Sequence, residues 1–171
     1  MRPPRRVAFR VGAALVTGVV LAAGQAGCAS RTDAYCSTLK DEKAVLSQVA
    51  GGGGPSSRRS MDRVLRVFRE LRDKAPADIA PDWDTLVGAF SRLSDALRAA
   101  GVDPGHFTPG KRPPGVSTGE YHEITQAALA LSSTRVLAAA GRIQDEARQV
   151  CHVSLGGEAA RPPGVAGPAQ G

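Results

Sequence analysis

The sequence has few aromatic residues, few cysteines and no excess of one charge beyond its first ten residues. Only 4% of its 171 residues are aromatic, and three are cysteine. The net charge is +6, but four arginines lie in the first ten residues, and the remaining 18 basic groups nearly balance 16 acidic ones. A nucleic-acid-binding domain needs a basic face on the domain itself. The near-neutral body therefore argues against nucleic acid as a partner.

The sequence also lacks a complete signature of a catalytic or metal site. His122 and Glu123 begin an H-E-x-x-H pattern, but Gln126 stands where the second zinc ligand is needed. Ser117 lies in a G-x-S-x-G match, yet prolines precede it where that motif requires a strand. There is no Cys-x-x-Cys spacing, and no pair of carboxylates is placed for acid–base work. We expect no catalytic residue, no metal, no cofactor and no enzymatic activity.

Residues 1–27 have the organisation of an export signal. A basic segment, residues 1–10, is followed by an uncharged stretch whose apolar part covers residues 11–23. Small residues then lead to Cys28. Arginines before the apolar segment hold that end in the cytoplasm. The body of the protein is therefore expected outside the cytoplasmic membrane.

Cys28 and the residues before it resemble the lipobox of bacterial lipoproteins. Ala26 and Gly27 fit this pattern, whereas Gln25 stands where the family usually has an apolar residue. The resemblance implies a diacylglyceryl group on Cys28, which would become the first residue. Two alternatives remain open: cleavage after Ala26 by an ordinary signal peptidase, giving a soluble protein, or retention of the segment as a membrane anchor.

The two other cysteines are expected to form a disulfide. If Cys28 carries lipid, Cys36 and Cys151 are left as a pair in a compartment that permits disulfides. The alternative is that both are free thiols.

Hydrophobic periodicity predicts an all-α fold, a four- to five-helix antiparallel bundle closed by that disulfide between its first and last helices. The first helix is expected at about 32–49, the second at 61–74 with Ser60 as its cap, and the third from Pro81 to about Ala100. Ser117 and Glu120 predict a capping box for the fourth helix, and Ser132 or Ser133 begins a fifth segment. The expected division is a signal peptide over 1–27, a lipidated cysteine and tether over 28–32, the bundle over 33–153, and a disordered tail over 154–171.

Three surfaces are candidates for binding: the loop 102–116, a cleft between helices, and an arginine-rich face of the second helix. Trp83 and Tyr121 would line such a cleft, whereas a solid core would count against it. On the arginine face, Asp62 and Glu70 are each four residues from Arg66, which favours a solvated surface of i,i+4 pairs over a partner site. The arginines of this face are Arg58, Arg59, Arg63, Arg66 and Arg69.

The assembled pattern resembles the uncharacterised small helical lipoproteins of actinobacteria. The residues that carry the resemblance are Cys28, Asp33–Cys36, Phe68–Pro76, Ile79–Trp83, Ala100–Pro104 and Cys151. The resemblance implies a lipid anchor, a terminal disulfide and an all-α body, and it implies no substrate. We therefore expect a monomeric, non-enzymatic envelope protein that is held in the lipid bilayer through acylated Cys28 and acts by binding. The alternatives are a binder of small molecules or cell-wall fragments and a secreted soluble helical protein.

Overall fold

The described part of the chain is built from helices alone. A computed structural model describes residues 25–156, with side chains described from residue 31, so the predictions for residues 1–24 and 157–171 lie outside the described residues. Within residues 25–156 there are six α-helices, one 3₁₀ turn and no strand beyond an isolated bridge between Thr108 and Lys111. The helices are α1 (Gln25–Asp41), α2 (Lys43–Ala50), α3 (Arg58–Lys74), α4 (Ala80–Ala99), α5 (Thr118–Ala130) and α6 (Thr134–Gln149), and the 3₁₀ turn is Pro104–His106. The all-α prediction is confirmed, with more helices than expected.

The first expected helix is divided and begins earlier than predicted. α1 begins at Gln25, so residues 28–32, expected to form a tether, are helical. Glu42 separates α1 from α2, and Gly51 ends α2 before the glycine linker. None of the helices between residues 25 and 156 combines the length and apolar character needed to cross a bilayer.

Side-chain caps fix where three of the helices begin. The predicted box at α5 is confirmed, since the Glu120 N–H donates to Ser117 Oγ at 3.2 Å and the Ser117 N–H to the Glu120 carboxylate at 2.8 Å. Ser133 caps α6. The cap of α3 is Ser57 rather than Ser60, because the Ser60 N–H donates to Ser57 Oγ at 3.2 Å. α3 is therefore longer at its start than predicted.

α4 lies at the centre of the packing and contacts α3, α5 and α6, while α1 packs on α3 and α2. The buried side chains form two clusters along α4. One surrounds Trp83 and Phe68, and the other surrounds Leu97 and Ile124. Phe90 and Leu131 are only partly buried and pack against both. The core is thus two apolar clusters that meet along one incompletely covered seam.

An ion pair between the exposed side chain of Arg142 and the buried carboxylate of Asp82 joins α6 to the start of α4. Asp82, in the first turn of α4, is buried, and its carboxylate accepts a hydrogen bond from Arg142 Nε at 2.9 Å and a second from Arg142 Nη2. The bonds to Asp82 raise the pKa of Arg142 above its usual value. Removing Arg142 would leave the buried Asp82 carboxylate without its partner, so the pair favours this arrangement of the two helices.

The predicted disulfide is present and ties the two ends of the described chain together. Cys36 and Cys151 have Cα atoms 5.0 Å apart and are separated by 115 residues. Cys151 lies just beyond α6, so the bond joins α1 to the segment after the last helix rather than to that helix. Leu155, expected in the tail, is buried in the core. Val150, which helical spacing places on the apolar stripe of the predicted fifth segment, is exposed. The folded part therefore extends to at least Leu155.

Candidate functional site

The residues that resembled catalytic motifs have other roles or stand apart. The Ser117 hydroxyl is used in the capping box of α5. His106, His122 and His152 are exposed and lie respectively in the 3₁₀ turn, in α5 and after α6. Among residues 25–156 no three His, Cys, Asp or Glu residues come together as a set of metal ligands. These residues therefore do not converge on one cleft.

The arginine face of α3 is solvent-exposed, but its ion pairs differ from the prediction. Asp62 pairs with Arg98 of α4 at 3.2 Å, and Glu70 pairs with Lys74 at 2.7 Å. Neither carboxylate pairs with Arg66, so the predicted i,i+4 pairs are wrong. The rule behind the prediction considers only neighbours on one helix, so it could not identify the pair between Asp62 and Arg98 on different helices.

An apolar cleft of about 690 Å³ opens along the seam between the two core clusters. We call it the central cleft. One wall is α4, which contributes Trp83, Leu86, Phe90, Leu93 and Leu97. This volume falls within the range of small-molecule sites, roughly 300–1,000 Å³. The expected cleft between helices therefore exists.

The opposite wall of the central cleft comes from elements that sequence analysis did not assign to it. α6 contributes Leu137, Ala140 and Gly141, and α2 contributes Leu46 and Val49. Leu137 is 58% exposed at the rim of the cleft, off the apolar stripe of Val136, Ala140, Ile143 and Ala147 that predicts α6. A large apolar side chain off that stripe was the available signal, because exposed apolar surface can mark a binding site.

The lining of the central cleft carries almost no polar side chains. Ser132 and Gln144 are the polar side chains at its surface, apart from the indole N–H of Trp83, and no charged side chain lines it. The Trp83 N–H is already used, because it donates to Tyr35 Oη at 3.0 Å. A bound molecule would therefore find mainly apolar contacts, and few hydrogen-bond partners among the side chains.

Of the two aromatic residues expected in the cleft, the structure places one there. Trp83 is 1% exposed and forms part of the cleft wall beside Phe68, with ring centroids 5.5 Å apart. Tyr121 does not line the central cleft and packs on Phe107, with centroids 6.3 Å apart. Phe107 itself does line the cleft, so the loop that carries it is a part of the site.

The loop 102–116 borders two concavities. Pro104 and Phe107 face the central cleft, while His106, Lys111 and Arg112 line a separate hollow of about 550 Å³ in the loop itself. Arg112 Nη1 donates to the carbonyl oxygen of Val116 at 2.7 Å, which holds the loop against the start of α5. The loop is thus an ordered rim of the central cleft.

Burial of Tyr35 beneath Trp83 has a measurable consequence at high pH. Burial, with smaller contributions from the charges of Glu146 and Asp78, raises the pKa of Tyr35 from 10.0 to about 12. Above pH 10 the unfolded chain loses this proton before the folded chain does, so stability declines as pH rises.

We expect the free energy of unfolding to fall by about 2 kcal/mol between pH 10 and 12 on account of Tyr35. Urea unfolding at pH 10 and pH 12 measures this loss of stability in wild type and in Tyr35→Phe. Because the other groups titrate in both proteins, the difference between the two losses is the contribution of Tyr35. An equal loss in the variant would contradict the assignment to Tyr35.

Comparisons with known proteins return no match: no family model, no curated protein and no solved structure is significantly similar to this chain. The function must therefore be argued from the site itself.

Proposed function

We propose that the protein is an exported, lipid-anchored and non-enzymatic protein of the cell envelope that binds an apolar small molecule in the central cleft. The observation that carries the binding role is the cleft itself, about 690 Å³ of space lined by apolar side chains from four helices and a loop. Open apolar surface of this kind costs hydrophobic free energy until something covers it. A binding function accounts for that cost.

Export is supported by two independent features. The basic, apolar and small-residue segments of residues 1–27 have the order of a secretion signal. The Cys36–Cys151 disulfide suits a protein that leaves the reducing cytoplasm. We place the body on the outer face of the cytoplasmic membrane.

Attachment through acylated Cys28 is supported by its position in the chain. Cys28 follows the small residues at the end of the apolar segment, and α1 runs from Gln25 past Cys36. Eight residues of helix span about 12 Å, so the lipid and the disulfide would lie at the same end of the molecule. No flexible spacer would then separate the body from the membrane.

The same proposal takes the helices as an antiparallel bundle, monomeric in solution. Near the start of α1, Arg31 Nη2 donates to the carbonyl oxygen of Asp73, close to the end of α3, at 3.4 Å. Just after α1, Glu42 pairs at 3.5 Å with Arg63, which lies nearer the start of α3. These contacts favour opposite directions for the two helices.

A non-enzymatic role is supported by what surrounds the central cleft. Catalysis by an acid, a base or a nucleophile requires titratable groups that converge on one pocket. Charged side chains do not line the central cleft, and the hydroxyl of Ser132 is its most reactive lining group.

Intact mass spectrometry of protein extracted from membranes, with and without reductant, tests the anchor. We expect a chain that begins at Cys28 and carries a diacylglyceryl group, because the preceding residues fit a lipobox. Reduction should add the mass of two hydrogens from Cys36 and Cys151.

The matched control is Cys28→Ser, which removes the acceptor thiol and should yield no lipidated form. A mass showing that the wild-type protein begins at Gly27 and carries no lipid would mean that the protein is secreted and soluble rather than lipid-anchored. That outcome would leave the binding role of the central cleft standing.

A further inference from the structure

We propose that the ligand of the central cleft is a single-chain anionic amphiphile, a long-chain fatty acid in its simplest form. The hydrocarbon chain lies along α4, and the acidic group lies at the end of the cleft near Arg58. This inference rests on the binding function proposed above and names the class of molecule bound.

The length of the central cleft fits one extended hydrocarbon chain. Its α4 wall runs from Trp83 to Leu97, fourteen residues apart. At about 1.5 Å per residue this wall is roughly 21 Å long. Since C–C bonds are about 1.5 Å long and zigzag, an extended chain of on the order of 16 carbons spans such a wall. The cleft is therefore long in one direction, as a chain-binding site must be.

The composition of the lining selects against polar ligands. Sugars, peptides and nucleotides bring many hydrogen-bonding groups, and burying such a group without a partner is costly. Ser132 and Gln144 could satisfy only a few of them. A hydrocarbon chain needs no such partners, so the lining disfavours cell-wall fragments and favours an acyl chain.

One end of the central cleft is bordered by charged groups, among them two arginines. Met61, Leu97 and Pro104 line the cleft and also line a small adjoining hollow that contains Arg58, Arg98 and Asp62. We call this the basic end. A carboxylate at the basic end would lie where an apolar surface gives way to guanidinium groups.

Of the two arginines at the basic end, Arg58 is the one open to a ligand. Arg98 pairs with Asp62 at 3.2 Å. Asp103, also nearby, accepts hydrogen bonds from the main-chain N–H groups of Arg58 and Gly105. The Arg58 guanidinium forms no ion pair with any residue between 31 and 156, and its side chain is exposed.

The opposite end of the central cleft lies near two carboxylates, which disfavours an anionic group there. Trp83 at this end contacts Tyr35, whose neighbours include Glu146 and Asp78. Burial and the charge of Asp78 raise the pKa of Glu146. An anionic group is therefore favoured at the basic end and the methyl end of the chain near Trp83.

Trp83 makes this proposal directly testable, because it is the only tryptophan of the chain and it lies in the cleft wall. Bromine atoms quench tryptophan fluorescence only at short range. Titration of the full-length protein with 9,10-dibromostearate should therefore quench Trp83 in a saturable way, and unbrominated palmitate should reverse the quenching. Absence of saturable quenching in the folded wild-type protein would overturn the proposal.

A cleft-filling variant locates the site. Gly141 lines the central cleft, and a Cβ atom there meets nothing within 4 Å, so Gly141→Phe adds bulk to the cleft lining with no clash at Cβ. We expect at least a tenfold loss of affinity for dibromostearate. Gly119→Phe is the matched control, since Gly119 is equally unobstructed but lies on the exposed start of α5. Circular dichroism verifies that both variants fold, and equal affinity in both would overturn the cleft as the site.

The role of the acidic group is tested by changing the head group of the ligand and, separately, the side chain of Arg58. Arg58→Gln should weaken palmitate binding about threefold to fivefold, the range of an exposed ion pair, and should leave 1-hexadecanol unaffected. Arg59→Gln, one residue away and also exposed, is the matched control. Vesicles of brominated phosphatidylglycerol, which present the same charge on two-chain lipids, should not quench Trp83. Quenching by vesicles but not by the free acid would overturn the single-chain assignment.

Nile red, an uncharged apolar dye, separates failure of this inference from failure of the proposed function. If Nile red binds wild type, loses affinity in Gly141→Phe and is displaced by palmitate, the proposal is supported. If it binds in the same way but palmitate does not displace it, the fatty-acid class is wrong and the binding function stands. If neither Nile red nor palmitate binds, both the proposed binding function and the fatty-acid inference are wrong.

Discussion

Replacement of both Cys36 and Cys151 by alanine should lower the free energy of unfolding by about 4 to 5 kcal/mol. The bond closes a loop of 115 residues, and a cross-link of that span removes a large conformational entropy from the unfolded chain. Since a domain of this size is typically stable by only about 5 to 15 kcal/mol, the loss approaches the whole stability. Urea unfolding followed by the fluorescence of Trp83 measures it.

Cys28→Ala provides the control for the disulfide prediction, because it removes a cysteine without removing the bond. We expect this variant to unfold as wild type does, and reductant to destabilise it as much as the double replacement does. A loss below about 1 kcal/mol in the double variant would mean that the unfolded chain is already compact without the bond.

Trp83→Ala should cost about 3 to 5 kcal/mol, the range measured when large buried aromatic side chains are truncated. Trp83 is buried against Phe68 and donates a hydrogen bond to Tyr35 at 3.0 Å, so truncation removes packing and leaves the Tyr35 hydroxyl without that donor. Its place in the cleft wall also means that the variant enlarges an existing gap. Thermal unfolding followed by circular dichroism is the measurement.

Leu129→Ala is the comparison for Trp83→Ala, because Leu129 is a large apolar residue that is 61% exposed. It should change stability by no more than about 0.5 kcal/mol. Equal effects at the two positions would show that Trp83 is not the anchor of the first core cluster.

The features that could be predicted from the sequence are the local ones. Helix stripes, the box of Ser117 and Glu120, and the cap at Ser133 depend on residues within one or two turns of each other. The disulfide was also accessible, because only two cysteines remain once Cys28 is set aside. The choice of Ser57 over Ser60 as the cap of α3 was not, since both are good cap residues near the same helix start.

The central cleft was predicted only as one of several surfaces. Periodicity identifies which side chains turn away from water, but it does not say whether the inward faces of the four helices fill the space between them. Trp83 and Tyr121 were equal candidates by composition, yet Trp83 lies in the cleft wall and Tyr121 packs on Phe107. Likewise, the partner of Asp62 is Arg98, thirty-six residues away, which no spacing rule could select.

The bond between Cys36 and Cys151 also determines how the molecule carries mechanical load. A pull applied through the segment before Cys36 and resisted through the segment after Cys151 passes directly across one covalent bond. The 114 residues between the two cysteines, which include α2 to α6, are bypassed and feel no tension from that pull. Under such a pull, the load would be carried by the part of α1 before Cys36 and by the residues after Cys151. Of the residues that line the central cleft, only Leu155 lies in a loaded segment, so the walls formed by α2, α3, α4 and α6 would keep their shape.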